Sequence, residues 1–407
     1  MRSLMKRTAE EQTRKRRTSL RVDVNLANLS TSPEADLKST AARRTPGRRR
    51  RICAAPPFSI LSFDDTADTK TRLSNQHSDS TKISRPLSKK LRKVRDLHCA
   101  RAKGTVSLCV KKSTGTYVVL KRVNKRMSNP FGRGCVFLDV YESLSRSPHS
   151  CCLGAEATSE LKRQIEIQLP FIRGGDLFEF ISRAADSNSP LQTSTLKRMV
   201  RDVARGVSHL HGLGFAHMDL AAENVLVDIS PIDGHVNRFL VMDYDLSLRI
   251  DKTSGTSMMG SDTVLLNGRI GYSPPEVLDI QKATREKSTR TVTSCDLRKV
   301  DAYALGCILF IAVFSVPHCD DTGPQSYTYR KLLQHGSFFF VKQWDLQTYP
   351  DRECFRLIDR LLHADPKMRL GVTELLSDDA DDHFSWLFRD EESDNIRHES
   401  DVFYKSY

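Results

Sequence analysis

The chain has 407 residues, 39% hydrophobic and 28% charged, enough apolar material for one large two-lobed domain with tails. Its net charge of +13 sits at one end: residues 1–95 hold 24 Lys and Arg against 9 Asp and Glu, a surplus of +15, leaving −2 for residues 96–407. Ten cysteines are scattered without a CxxC spacing, which excludes a disulfide framework and a zinc module and points to a reducing, intracellular setting, cytoplasmic or nuclear.

In chain order, residues 1–94 are rich in Arg, Ser and Thr and lack sustained periodicity. Such a stretch cannot bury enough apolar surface to offset its ordering entropy, so a disordered basic tail is expected. Its clusters, Arg14–Arg17 and Arg43-Arg44 with Arg48–Arg51, suit nuclear localisation or binding to a partner, nucleic acid or acidic membrane. No secretory apolar stretch follows Met1, because Arg2, Lys6 and Arg7 lead into more charge.

Val106–Val110 alternates, and Tyr117–Lys121 forms the next strand, a hairpin turning at 113–116. Asn129-Pro130-Phe131-Gly132 breaks any helix, so a short one is expected from about Cys135 to Ser145. Ile165–Leu169 reads as a strand, followed by a Gly174-Gly175 hinge and a helix capped by Asp176. Apolar spacing from Leu196 to Leu213 predicts a helix that ends at Gly212 and Gly214. Residues 281–299 read as a polar, basic insertion. Ala302–Val316 is apolar but too short to span a bilayer, so it predicts a buried core helix and no transmembrane segment is expected. From Asp378 onward the tail is acidic.

The chemistry gathers between Phe215 and Asp243. Two apolar runs flank a polar knot that holds Asp219 and Asn224 five residues apart, and Asp243 directly follows the strand-like Phe239–Met242. A carboxylate that can take a proton, near an amide and a second carboxylate that can hold a hard cation, is the layout of a Mg2+-phosphate site.

His217-Met218-Asp219-Leu220-Ala221-Ala222-Glu223-Asn224 resembles the catalytic loop of eukaryotic-type protein kinases, and Asp243-Tyr244-Asp245 resembles their metal-binding triplet. Val118-Val119-Leu120-Lys121 is similar to the strand that supplies their phosphate-pairing lysine, and Gly268–Glu276 to the end of their activation segment. The resemblance spans 95–388 and implies an α+β, two-lobed fold: a β-rich N-lobe at about 95–169, a helical C-lobe at about 174–388, and an acidic tail at 389–407.

It also implies roles. Lys121, Asp219 and Asn224 would be catalytic, and Asn224 and Asp243 would hold Mg2+. Gly104, Val106, Val119, Leu169, Pro170, Ile172, Asp176 and Leu226 would surround ATP, with Leu169 guarding the back pocket, Pro170 and Ile172 facing adenine and Asp176 reaching ribose. Glu276 and Arg369 would pair inside the large lobe, and Asp301 would hold the catalytic-loop backbone from beneath. The implied activity is transfer of phosphate to Ser or Thr of protein substrates.

The sequence departs from the pattern in several places. The glycine-rich loop would lie at Cys99–Gly104 and keeps only Gly104. Asp245 replaces a glycine, Ala221 stands where Ser/Thr kinases place a lysine, and Met218 where they place an arginine that reads a loop phosphate. The helix acid that would pair with Lys121 is Asp139 or Glu142, and the residues do not decide between them. These departures keep a second reading open, a catalytically silent scaffold of the same fold. Asp176 and Glu223 lie where a carboxylate would meet a basic substrate. The absent loop arginine implies activity independent of phosphorylation at the hydroxyls of 253–263.

Overall fold

The computed structural model describes residues 85–100, 104–125, 136–187, 189–257, 270–285, 295–319, 325–346, 349–377 and 387. The expected basic tail up to residue 84, with its arginine clusters, and the acidic tail at 389–407 lie outside them.

Five strands form one antiparallel sheet: β1 (Leu91–Ala100), β2 (Gly104–Lys111), β3 (Tyr117–Asn124), β4 (Ala157–Glu160) and β5 (Gln164–Pro170), in the order β1-β2-β3-β5-β4. The period of two decides which residues face the cleft. On β3, Val118 and Leu120 are buried against Leu91 and Cys109, so Val119 and Lys121 emerge on the opposite face. The boundary expected at 95 falls too late. A 3-10 turn at Leu87–Lys90 precedes β1, Leu87 packs on the Leu91, Cys109, Val118 and Leu120 cluster, and the Ser88 N–H donates to buried Glu166 at 3.1 Å.

Helix α1 (Val136–Arg146) lies between β3 and β4 in the chain, close to where the break at Pro130 puts it. It buries Phe137, Val140, Tyr141 and Leu144, a stripe at helical spacing. The large lobe begins with α2 (Leu177–Asp186) and α3 (Thr193–Leu213). Two short sheets follow: β6 (Phe215–Ala216) pairs with β9 (Leu248–Arg249), and β7 (Val225–Ile229) with β8 (Val236–Val241).

Helix α4 (Pro275–Arg285) precedes α5 (Leu297–Phe314), which is buried almost all round, as an apolar central helix must be. The insertion expected at 281–299 is therefore narrower. Residues 281–285 complete α4 and 297–299 open α5, because Asp296 caps that helix through the Arg298 N–H; 286–294 lie outside the described residues. Four further helices, α6 (Tyr327–His335), α7 (Phe339–Gln343), α8 (Arg352–Leu361) and α9 (Val372–Leu375), close the lobe. No helix among the described residues is long and apolar enough to cross a membrane. One core runs from Val123, Ile165 and Ile167 in the sheet through Tyr141 and Tyr244 to Leu305 and Leu357.

Candidate active site

The register of β7 and β8 builds the site. Val225 lies opposite Val241, so the knot before β7 and the triplet after β8 emerge at the same end. The Met242 N–H donates to the Asn224 carbonyl at 2.9 Å, which locks that juxtaposition. Within the knot, Asn224 Nδ2 donates to the Asp219 carbonyl at 2.6 Å and to its Oδ2 at 3.0 Å. With its NH2 so engaged, Asn224 has its Oδ1 as the atom that can face a hard cation.

Asp301, buried on α5, fixes the loop from beneath. Its Oδ2 accepts the His217 N–H and His211 Nε2, both at 2.8 Å, and its Oδ1 accepts the Met218 N–H at 2.9 Å. Burial raises the affinity of this carboxyl for a proton, but the His211 bond, the charges of His211 and His217 and the backbone donor outweigh it and hold the pKa below the usual carboxylate value. These bonds hold the backbone at Met218 in the left-handed region, φ 64°. His217 Nε2 donates to the Met242 carbonyl at 2.9 Å, and its ring stands edge-on to Tyr244, which in turn stands edge-on to Tyr141 on α1. An aromatic column thus links the knot, the triplet and α1.

Lys121, opposite Val106 and Ile167 on the neighbouring strands, extends to the triplet. Its Nζ lies 2.6 Å from Asp243 Oδ1 and 2.6 Å from Asp245 Oδ1. Burial works against the ammonium, yet the two carboxylates and Tyr141 hold its pKa well above the ordinary lysine value. Neither helix acid expected for Lys121 reaches it. Asp139 pairs with Arg249 at 3.0 Å, and Glu142 pairs with Arg146 one turn along α1. The α1 residue that interacts with Lys121 is the buried Tyr141, whose phenol is pushed up by burial.

The remaining expected residues lie on the strands and the segment that join the two lobes. Val106, Val119, Ile172 and Leu226 are half-buried and Leu169 is buried. Val119 pairs with Leu169, Val118 with Pro170, and Leu226 bridges to Asp176, so these side chains are set by strand register. Gly104 has a structural duty of its own. It opens β2 at φ 146°, where a Cβ would sit 1.9 Å from the Arg122 carbonyl, so the sheet itself requires glycine there. Of the expected loop, Cys99 and Ala100 belong to β1, and 101–103 lie outside the described residues.

On the other side of the cleft, Asp176 caps α2 by accepting the Glu179 N–H at 2.8 Å. Burial pushes its carboxyl up to about 6, Glu179 and Glu223 add repulsion, and the cap opposes them. Tyr272 donates to Glu223 at 3.3 Å and stands 3.4 Å from the Ala222 nitrogen, beside the knot. Arg369, fully buried, donates to both oxygens of Glu276 at 2.7 and 3.0 Å and stacks over Tyr303.

Sequence reasoning missed Tyr141 and the contact of Asp245 with Lys121. The signal for Tyr141 is the spacing Phe137, Val140, Tyr141, Leu144, which turns Asp139 and Glu142 away from the core. It also missed Arg298, whose guanidinium donates to the Lys252 and Thr253 carbonyls at 3.1 and 3.3 Å while gripping Asp296.

A family model described as protein kinase domain matches residues 102–379. Over 278 residues the chain is 27% identical to a probable serine/threonine-protein kinase of Dictyostelium discoideum, fhkD, a match covering 67% of this chain and 34% of that protein. It is 24% identical to the serine/threonine-protein kinase cds1 of Schizosaccharomyces pombe, over 67% of this chain and 54% of that one. It is 28% identical to MAP kinase-interacting serine/threonine-protein kinase 2 of Xenopus laevis, over 67% and 57%. The matched part thus spans from about a third to somewhat over half the length of these curated relatives.

Proposed function

The chain belongs to the protein kinase family, and from that premise we propose that it transfers the γ-phosphate of ATP to Ser or Thr hydroxyls of protein substrates. The observation that supports this reading is the contact of Lys121 with Asp243 and of Asn224 with Asp219 on a loop pinned by Asp301, the two pairs joined where the Met242 N–H reaches the Asn224 carbonyl. Bound ATP and Mg2+ supply the phosphoryl group and most of the neutralising charge.

The chain's own groups position the reactants. Asp219 orients the acceptor hydroxyl and takes its proton. Lys121 presents an ammonium to the non-transferred phosphates. Asp243 and Asn224 offer a carboxylate and an amide oxygen, the hard donors that Mg2+ prefers alongside phosphate and water. Gly104, Val106, Val119, Leu169, Pro170, Ile172 and Leu226 enclose the adenine side, and Asp176 meets the ribose. Pro170 has no N–H, so it can contribute only its carbonyl.

Asp176, Glu179 and Glu223 influence one another electrostatically on the substrate side of the cleft, which supports a preference for basic residues near the acceptor. Cys109, Cys151, Cys152, Cys295, Cys307, Cys319 and Cys354 are free, which supports an intracellular setting. The tail clusters we assign to partner or nucleic-acid binding on charge alone.

The second reading is a silent scaffold. It is favoured by Ala221, fully buried where a cation would stand, and by the extra charge of Asp245 beside the metal-binding group. Transfer of labelled γ-phosphate to a basic peptide mixture decides between them. Wild type is expected to transfer, and Asp219→Asn to lose about 10²-fold or more, the range for a positioned general base. Equal, background-level signal from both proteins, with nucleotide still bound, would establish the scaffold.

A further inference from the structure

Lys121 takes its carboxylate partners from the triplet and not from the acids of α1. The inward face of α1 carries Phe137, Val140, Tyr141 and Leu144. Asp139 sits two residues from Tyr141, more than half a turn round the helix, and is held by Arg249. Glu142 is exposed and held by Arg146. Helix α1 therefore offers Lys121 a phenol and no carboxylate.

Two carboxylates nevertheless reach Lys121 Nζ, and both come from the triplet, at equal distances of 2.6 Å. The two are not equivalent in chemistry. Asp243 stands two residues past the end of β8, at φ 65°, a strained setting just after the Met242 N–H that reaches the Asn224 carbonyl. Asp245 lies two residues further on and has no positive φ, so the backbone there does not call for glycine and a side chain is accommodated. Its carboxylate is partly exposed at 38%, whereas the Lys121 side chain it grips is only 12% exposed. A long, flexible ammonium needs such a grip, since a lysine is a point charge on a stem with many rotamers.

We propose that Asp245 is the positioning residue for Lys121, a carboxylate supplied by the metal-binding triplet in place of one from α1. With a cation held by Asp243, Asp245 would keep the ammonium aimed at the phosphate-binding side. Asp245 acts through Lys121 and touches no reacting atom. The proposal rests on the kinase reading for the identity of the nucleotide, and its test is chosen to be independent of turnover.

The test is binding of Mg2+ with a non-hydrolysable fluorescent ATP analogue, compared with binding of adenosine, by wild type and by Asp245→Asn, Asp245→Gly and Asp245→Glu in the full chain. Thermal melts confirm that each variant is folded, and the near-isosteric Asp245→Asn decides the matter if glycine does not fold. Asp245→Asn is expected to weaken the ATP analogue about 10-fold, the worth of one charge-assisted contact, and to leave adenosine unchanged. Asp245→Glu, which keeps the carboxylate, is expected to recover most of the loss. Unchanged or tighter binding of the analogue by Asp245→Asn would overturn the proposal, making Asp245 a bystander or a competitor of the phosphates. An equal loss for adenosine would also overturn it, marking a general structural defect. If wild type transfers no phosphate but shows this selective loss, the positioning role stands and the catalytic reading falls.

Discussion

Asp176 carries two duties that pull its carboxyl in opposite directions. As the cap of α2 it accepts the Glu179 N–H, which favours the charged form. Burial, with Glu179 and Glu223 nearby, favours the neutral form and wins, pushing the carboxyl up to about 6 from an ordinary 3.8. A raised carboxyl binds protons more tightly in the folded state, so its contribution to stability is full below about 3.8 and is lost as pH rises through about 6. The loss at neutral pH is at most about 3 kcal/mol. Asp176→Asn keeps an oxygen for the cap and removes the charge. It is expected to raise the melting temperature by several degrees at pH 7.5, with most of that gain gone at pH 4. Equal gains at both pH values would show that charge is not the cause. The same logic marks which residues were legible in the chain. Asp219, Asn224 and Asp243 declare themselves because short strands bring fixed spacings together. The partner of Lys121 does not, because it depends on which face α1 turns inward.

At the scale of elements, the segment after β9 is held by a helix that has not been asked to bind phosphate. The N-terminus of α5 grips it three ways: Leu297 N–H donates to the Gly255 carbonyl at 3.0 Å, and Arg298 donates to the Lys252 and Thr253 carbonyls. The approach is so close that a Cβ on Gly255, at φ 69°, would fall 1.9 Å from Asp296 Oδ1. Asp251 closes the turn by accepting the N–H groups of Thr253 and Ser254. Met218 contributes no guanidinium here, and its backbone is held by Asp301 instead. Alanine at Thr253, Ser254, Thr256, Ser257, Ser261 and Thr263 is therefore expected to preserve phosphate transfer; Ser261 and Thr263 lie outside the described residues. Arg298→Ala is expected to lower transfer about 10-fold and to speed proteolysis within 251–257, since two charge-assisted bonds are lost. Abolished transfer in a folded alanine variant, with Arg298→Ala normal, would reverse that assignment. Helices such as α3 and α5 were readable from apolar spacing, whereas this clamp joins residues some 45 positions apart and leaves no local pattern.

For the whole molecule, composition and motif order go far: the charge surplus at one end, an alternating hairpin, a buried central helix and paired Glu276 and Arg369 all lead to two lobes. What they do not give is where the folded part starts. Basic residues continue through Lys89, Lys90, Arg92, Lys93 and Arg95, so the charge pattern runs on past the first strand. Alternation there is masked by bulges in the β1–β2 register between Lys93 and Arg95 and between Asp96 and His98. The packing resolves it. Leu91 is buried and pairs with Lys111, Leu87 covers the same cluster, and Ser88 gives buried Glu166 a second partner beside Arg122. Burying a leucine contributes about 1.5–3 kcal/mol, and stripping a donor from a buried carboxylate costs about 1–3 kcal/mol more. A chain beginning at Arg95 is accordingly expected to be less stable than one beginning at Arg85 by about 2.5–6 kcal/mol, read from denaturant midpoints at equal slope. Its sheet would keep β2, β3 and β5 but lose part of the edge that covers Cys109 and Val118. Coincident midpoints for the two chains would mean that Leu87–Val94 unfolds apart from the rest, and that the two-lobed unit starts where its charge pattern suggests.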